Sequence, residues 1–451
     1  MSKKLFAKAL CATLISAAFA APAHAGETEL LQKIEKLAAE LEAIKAELAA
    51  TRKKTEVVEQ KQEAITSAVA ANAAATSAAS TQAAEALAAN DSLRKTAMPG
   101  ASQTTLSSYG EINYNRPRQA SNQAQADVAR AVIAITHRFD DKTKMVSEFE
   151  WEHAVTSASD KGESEVEQLY VEHELRPGLA AKAGLFLMPV GLLNTSHEPT
   201  AYYGVQRNFV ETAIIPTTWR EVGLGLSGTL DNGFSWDAGL TTGFNLSKWD
   251  ATSTDGRDSP LRAIHQEGQL AQAHDLSFHA AGNYRGIPGL LLGGSVFSGK
   301  AGQATTDFAA NDARITLWDL HARYNPGKLD LSALYARGTI SNTEALNLTF
   351  VGQPTPVPAS FAGWYVQAAY QAWKTSSYSL SPFIRYEQYN TAKSYAYVPQ
   401  GLGVAATPDE KVTTVGANFK VGEGVVLKAD YQKFKQDSSR DRYNLGVGYA
   451  F

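Results

Sequence analysis

From Leu106 to the C-terminus the chain repeats one pattern: segments of about ten residues in which apolar and polar side chains alternate. Sixteen can be counted, from Ser107–Asn115 to Arg440–Phe451. Every second connection is a tight turn, at Asp140–Thr143, Arg176–Leu179, Asp231–Gly233, Arg285–Gly289, Asn325–Gly327, Lys374–Ser377 and Val421–Gly424. Those between include the long stretches Met188–Trp219, Phe244–Ala273, Gly338–Ser360 and Tyr389–Asp409. A Greek-key sandwich has no reason to keep that order. A transmembrane barrel does, with turns on one side of the bilayer and loops on the other. The expected fold over 106–451 is therefore an all-β transmembrane barrel of sixteen antiparallel strands. An even count puts both barrel ends on the periplasmic side.

Each strand carries one apolar face and one polar, small or charged face. In the last, Tyr443, Leu445, Val447, Tyr449 and Phe451 oppose Arg442, Asn444, Gly446, Gly448 and Ala450. The apolar face is assigned to lipid. The other is assigned to a lumen that sixteen strands make too wide for wall side chains to fill, so water is expected there. Its predicted charges include Arg130, Arg138, Lys182, Arg385 and Lys428, opposed by Glu111, Glu148, Glu150, Glu152, Glu172, Glu174, Glu221, Asp237 and Asp430. No dominant ring of one sign emerges, and such rings set ion preference.

The preceding hundred residues differ in kind. Residues 1–25 read as a secretory signal: Lys3, Lys4 and Lys8, an apolar run, then Ala23-His24-Ala25 for cleavage. The single cysteine, Cys11, falls inside it, so no disulfide or thiolate site is expected in the exported chain. Over 26–69, Leu30, Ile34, Leu37, Leu41, Ile44 and Leu48 fall at alternating spacings of four and three, the seam of an α-helical coiled coil placed in the periplasm. Leu and Ile at both seam positions are compatible with trimers. Residues 70–105, rich in Ala, Ser and Thr, read as spacer and linker.

The chain has 42 Lys and Arg against 46 Asp and Glu, and loss of the signal lysines moves the balance from −4 to −7. An acidic exported chain is not built to grip nucleic acid. No apolar run of about 18 residues follows the signal, which excludes helical spans. We find no H-E-x-x-H, G-x-S-x-G or Walker motif, and expect no enzyme, cofactor or metal site. Asn194-Thr195-Ser196-His197 and Glu172-His173-Glu174 are the nearest approaches, and neither has a complementary motif.

Lys182 to Gly228 is the most specific stretch. A strand breaks at Met188-Pro189-Val190-Gly191, Glu198-Pro199 and Arg207 follow, and Trp219-Arg220-Glu221-Val222-Gly223 begins the return. Here the chain resembles the phosphate-selective porin O and P family, broadly over Leu106–Phe451. The resemblance implies a trimeric sixteen-stranded barrel whose third loop, here 188–219, folds inward and narrows the lumen. Lys182, Tyr202, Tyr203, Arg207, Glu211, Arg220 and Glu221 are then the candidates for the constriction. Phosphate selectivity is not implied, because the arginine and lysine clusters that confer it are missing. Two outcomes stay open: Arg207 and Arg220, with Lys182 nearby, form a local anion-favouring patch, or Glu198, Glu211 and Glu221 pair with them and leave the eyelet neutral.

The expectation is an outer-membrane channel of a Gram-negative bacterium, set in lipid and lipopolysaccharide, passing small hydrophilic or ionic solutes with the preference for anions left open. The alternative is a structural anchor whose coiled coil reaches peptidoglycan or a periplasmic partner.

Overall fold

The computed structural model describes residues 103–157, 159–396 and 407–451, with scattered helical positions between 34 and 60. The signal segment, the seam residues Leu30, Leu37 and Ile44 and nearly all of the spacer lie outside the described residues. The chain divides into two units, Met1–Ala101 and Ser102–Phe451.

The second unit is one closed antiparallel sheet of sixteen strands. They are β1 (Thr104–Pro117), β2 (Gln125–Arg138), β3 (Thr143–Glu152), β4 (Ser164–Arg176), β5 (Leu179–Leu187), β6 (Arg220–Thr229), β7 (Phe234–Thr241) and β8 (Ser277–Tyr284). Then come β9 (Leu290–Lys300), β10 (Arg314–Tyr324), β11 (Leu329–Ile340), β12 (Pro358–Tyr370), β13 (Tyr378–Tyr395), β14 (Glu410–Val421), β15 (Val425–Phe434) and β16 (Arg442–Ala450). A two-residue pairing at Trp373–Lys374 extends the turn before β13 without adding a strand to the barrel. Each strand pairs with its sequence neighbours, and β16 closes on β1 from Tyr109↔Ala450 to Pro117↔Arg442. Phe451 continues that ladder, exchanging backbone bonds of 3.1 and 2.9 Å with Ser108.

The short turns hold because glycine supplies the left-handed residue they need, as at Gly233 (φ 84°) and Gly327 (φ 80°). No described helix is long and apolar enough to cross a membrane. The strands' outer face is apolar: Leu106, Ile112, Ile133, Leu169, Leu224, Leu240, Phe278, Leu320, Ile384, Leu427 and Leu445 are all exposed. Aromatic pairs mark both rims, Tyr431 with Tyr443 near the loops and Tyr378 with Phe419 near the turns. That is the girdle pattern of a lipid-facing wall.

The interior departs from the expected wet wall in one sector. Phe297 on β9, Leu317 on β10, Leu334 on β11 and Phe361 on β12 turn inward and are buried. They join Trp219, Phe244, Leu246, Leu261, Ile264, Ile214 and Ile215, which arrive on loops 188–219 and 242–276. Trp219 lies 5.1 Å from Phe244 and 4.6 Å from Phe297, ring centre to ring centre. Each such buried side chain contributes roughly 1.5–3 kcal/mol. Loop side chains fill what wall side chains cannot reach.

The face assignment makes a direct prediction. Leu224, 67% exposed on β6, is set against acyl chains by this assignment. Leu224→Arg should cost about 2–4 kcal/mol if it sits near the bilayer midplane. Denaturant unfolding in liposomes measures this, and an unchanged stability would contradict a lipid-facing position.

Candidate functional site: the loop across the barrel

Loop 188–219 leaves β5 because Pro189 has no N–H to continue the ladder. Its base is tied by one side chain. Asn194 Nδ2 donates to the Met188 and Trp219 carbonyls, both at 2.8 Å, and Asn194 Oδ1 accepts from Trp219 N at 2.7 Å. The loop then crosses the interior and bonds to the far wall. Gly191 N donates to Asp319 on β10 (3.2 Å), Phe209 N to Glu387 on β13 (2.6 Å), and Val205 N to Asp430 on β15 (2.6 Å). In return the loop carbonyls of His197, Tyr202 and Tyr203 accept from Arg130, Asn418 and Arg385. Inward side chains of the wall thus satisfy the backbone of an irregular segment that lipid would not tolerate.

Glu211 is the loop's internal strut. Its Oε1 accepts from the backbone N–H of Leu192 (2.6 Å) and Leu193 (2.7 Å), and its Oε2 from Asn208 Nδ2 (2.8 Å) and Tyr365 Oη (2.9 Å). Burial pushes its carboxyl upward, while the four bonds pull the other way. Gly191 (φ 71°) makes room, since a Cβ there would stand 2.6 Å from Glu211 Oε1.

The candidate residues separate into groups. Tyr202 Oη donates to Glu111 (2.7 Å), Lys428 Nζ lies 3.6 Å from the Tyr202 ring centre, and Arg130 Nε donates to Glu111 (2.8 Å). Tyr203 Oη reaches Asp330 (3.3 Å), and Arg385 Nε bonds Glu387 (3.1 Å). Arg207, half-buried, donates to Thr217 and Thr218. Asp430 divides its oxygens between Val205 N and Asn444 Nδ2 (2.6 Å).

The others stand elsewhere. Lys182 pairs with Asp237 (2.8 Å) over the Phe186 ring. Glu172 pairs with Lys144 (2.8 Å), and Arg138 lines the mouth near the short turns with them. Glu221 is buried and holds Trp219 Nε1 (3.0 Å) and Thr242 Oγ1 (2.5 Å), while Glu211 is buried as described. These two carboxylates therefore brace the loop from within rather than face solute. The partners of Arg220 are Glu165 (2.6 Å) and Glu267 (3.2 Å), not Glu221.

Two cavities lie on opposite sides of the loop. One, of about 720 Å³, opens among the long loops and is lined by Phe209, Thr212, Lys248, Arg257, Arg262 and Arg440, with Asp255, Asp258 and Glu410. The other, of about 270 Å³, lies toward the short turns beside Ser196, Tyr202, Tyr203 and Asn208. Its only charged lining residues are Arg285, Arg323 and Arg385. Position-by-position reading did not flag Arg285 and Arg323. Arg323 ends its strand and Arg285 sits in a turn, so period-two counting says little of either.

No protein-family profile matches the chain. An uncharacterized protein of Aquifex aeolicus (strain VF5) is 27% identical over 358 residues, 77% of this chain and 80% of that protein. Among solved structures, OmpF of Salmonella typhi, in complex with daunomycin, superposes with a TM-score of 0.54 at 15% identity, covering 78% of this chain and 98% of OmpF. An anion-selective porin from Comamonas acidovorans gives a TM-score of 0.46 at 14% identity, covering 78% and 100%. The likeness to OmpF is one of fold: the chain has the architecture of an outer-membrane porin.

Glu211→Ala would leave two backbone N–H groups, an amide and a tyrosine hydroxyl without their acceptor. We expect a loss of about 3 kcal/mol or more in unfolding free energy, with faster proteolysis inside 188–219. A variant as stable and as resistant as the parent would show that another contact holds the loop.

Proposed function

We propose that this protein is an outer-membrane porin, a channel through which small hydrophilic or ionic solutes diffuse passively. One observation carries the reading: a closed, lipid-faced barrel holds a loop across its interior with a polar cavity on each side. Tyr202, Tyr203 and Arg207 are the constriction candidates that keep this role, joined by the lumen charge Arg385 and by Arg285 and Arg323. Lys182, Arg220, Glu211 and Glu221 are assigned to holding the wall and loop in place.

A weak preference for anions is part of the proposal. The inner cavity presents only arginines as charged groups, although Asp330 and Glu387 stand behind Arg323 and Arg385 and offset part of their field. Kinship with the phosphate-selective porin O and P family belongs to this reading too, without phosphate as the solute. So does a homotrimer. The helical positions Ile34, Leu41 and Leu48 recur every seven residues and are all exposed, which suits a seam between copies.

Planar-bilayer recording of the refolded protein tests this. Discrete conductance steps are expected, and silence despite verified insertion would remove the open pore. In asymmetric KCl the reversal potential should lie on the anion side and move toward cations in Arg285→Glu. A cation-side value for the parent protein would overturn the charge reading while leaving the channel intact.

A further inference from the structure

The inner face of β3 and β4 carries a cluster that conduction does not require. A β-bulge creates it. Glu148 pairs with Gln168 and Phe149 with Val166, so Glu167 is an extra residue in β4. Glu167 and Gln168 both turn inward as a result. Glu167 Oε2 accepts from Tyr109 Oη (3.0 Å), and Gln168 Nε2 bonds Glu148. The ligating atoms of Glu148, Glu167 and His197 lie within 4.8 Å of one another, and so do those of Glu150, Glu165 and Glu167.

Three observations show that this cluster lacks a positive partner. First, Glu167 and Glu150 are 0% and 2% exposed, and the Oε1 of each has no hydrogen-bond donor. Buried carboxylate oxygens are seldom left so. Second, the nearby cations are engaged. Arg130 is held by Glu111 and the His197 carbonyl, and Arg220 by Glu165 and Glu267. Among the described residues Arg130 Nη1 and Arg220 Nε are left over, on guanidinium groups already committed to other carboxylates.

Third, the hydrogen bonds of His197 do not close. Nδ1 stands 3.0 Å from the Asn194 carbonyl and must carry a proton to bond it. Nε2 then presents a lone pair 2.7 Å from Tyr109 Oη and 3.7 Å from Glu167 Oε2. The single Tyr109 proton serves Nε2 or Glu167, not both. A neutral imidazole with Nδ1–H on a backbone carbonyl and Nε2 bare is the form in which histidine binds metal.

We propose that Glu148, Glu167 and His197 bind a divalent cation of the borderline class, such as Zn²⁺, with Glu150 beside it as a further oxygen donor. The mixed nitrogen and carboxylate set disfavours Mg²⁺ and Ca²⁺, which take oxygen. His197 belongs to the loop and the glutamates to the wall. The ion therefore pins loop 188–219 to β3 and β4. This site rests on the fold alone and stands whether or not the barrel conducts.

Full-length refolded protein, stripped with EDTA and dialysed against ZnCl₂, should retain one tightly bound zinc per protomer by elemental analysis. Glu167→Gln is nearly isosteric and removes the charge repulsion, so it should fold. It should bind zinc about tenfold or more weakly, as should His197→Gln. Zinc should raise the thermal midpoint and slow proteolysis within 188–219 in the parent protein, and do neither in the two variants. Binding equal in parent and variants, or none in the parent, would overturn the site. So would a parent that is stabilised only by lowering the pH, with zinc inert, since the carboxylates would then be sharing protons instead of a metal.

Discussion

Every other feature of this molecule depends on the backbone ladder between β16 and β1. A bilayer core offers no water to a free N–H or C=O, so a sheet edge left open there is prohibitively costly. The nine register pairs from Tyr109↔Ala450 to Pro117↔Arg442 leave no such edge. Closure is also global. It fixes circumference, and circumference determines how much space remains inside after the wall side chains have reached their limit.

That remaining space is settled by electrostatics as much as by packing. On one side, loop side chains and inward-facing Phe297, Leu317 and Phe361 make a dry, apolar mass. Within and beside that sector, the wall carboxylates of Asp319, Glu387 and Asp430 accept directly from loop backbone at Gly191, Phe209 and Val205. Charge-assisted bonds of this kind are roughly twice as strong as neutral ones. The loop is therefore held both by packed aromatic side chains and by fixed anions of the wall.

The wall was legible in the sequence and its contents were not. All sixteen segments from Ser107–Asn115 to Arg440–Phe451 correspond to strands, because period-two alternation and tight turns are local signals. The inward apolar residues of β9 to β12 defeat the same reading. Seen along one strand, Phe297 or Leu334 looks like a lipid contact, and only the loop that covers it says otherwise. Glu211 was legible as a loop charge and Glu221 as a lumen charge, but neither as a strut, since their partners Leu192, Tyr365 and Thr242 are set by tertiary geometry. Glu167 did leave a trace. Glu165 and Glu167 are odd-numbered, whereas Tyr170, Glu172 and Glu174, on the same inner face, are even. That change of parity within one strand is the mark of a bulge.

The bulge also sets how β4 tolerates a change in length. Removing one residue between Val166 and Gln168 would restore a regular ladder and look harmless in an alignment. It would also leave the neighbouring side chains on their present faces, with Gln168 and Glu165 inside opposite Glu148 and Glu150, and Val166 outside opposite Phe149. Loss of Glu167 should therefore spare the wall and remove one inward carboxylate, whereas loss of any other single residue of β4 would shift the register and turn one end of the strand inside out.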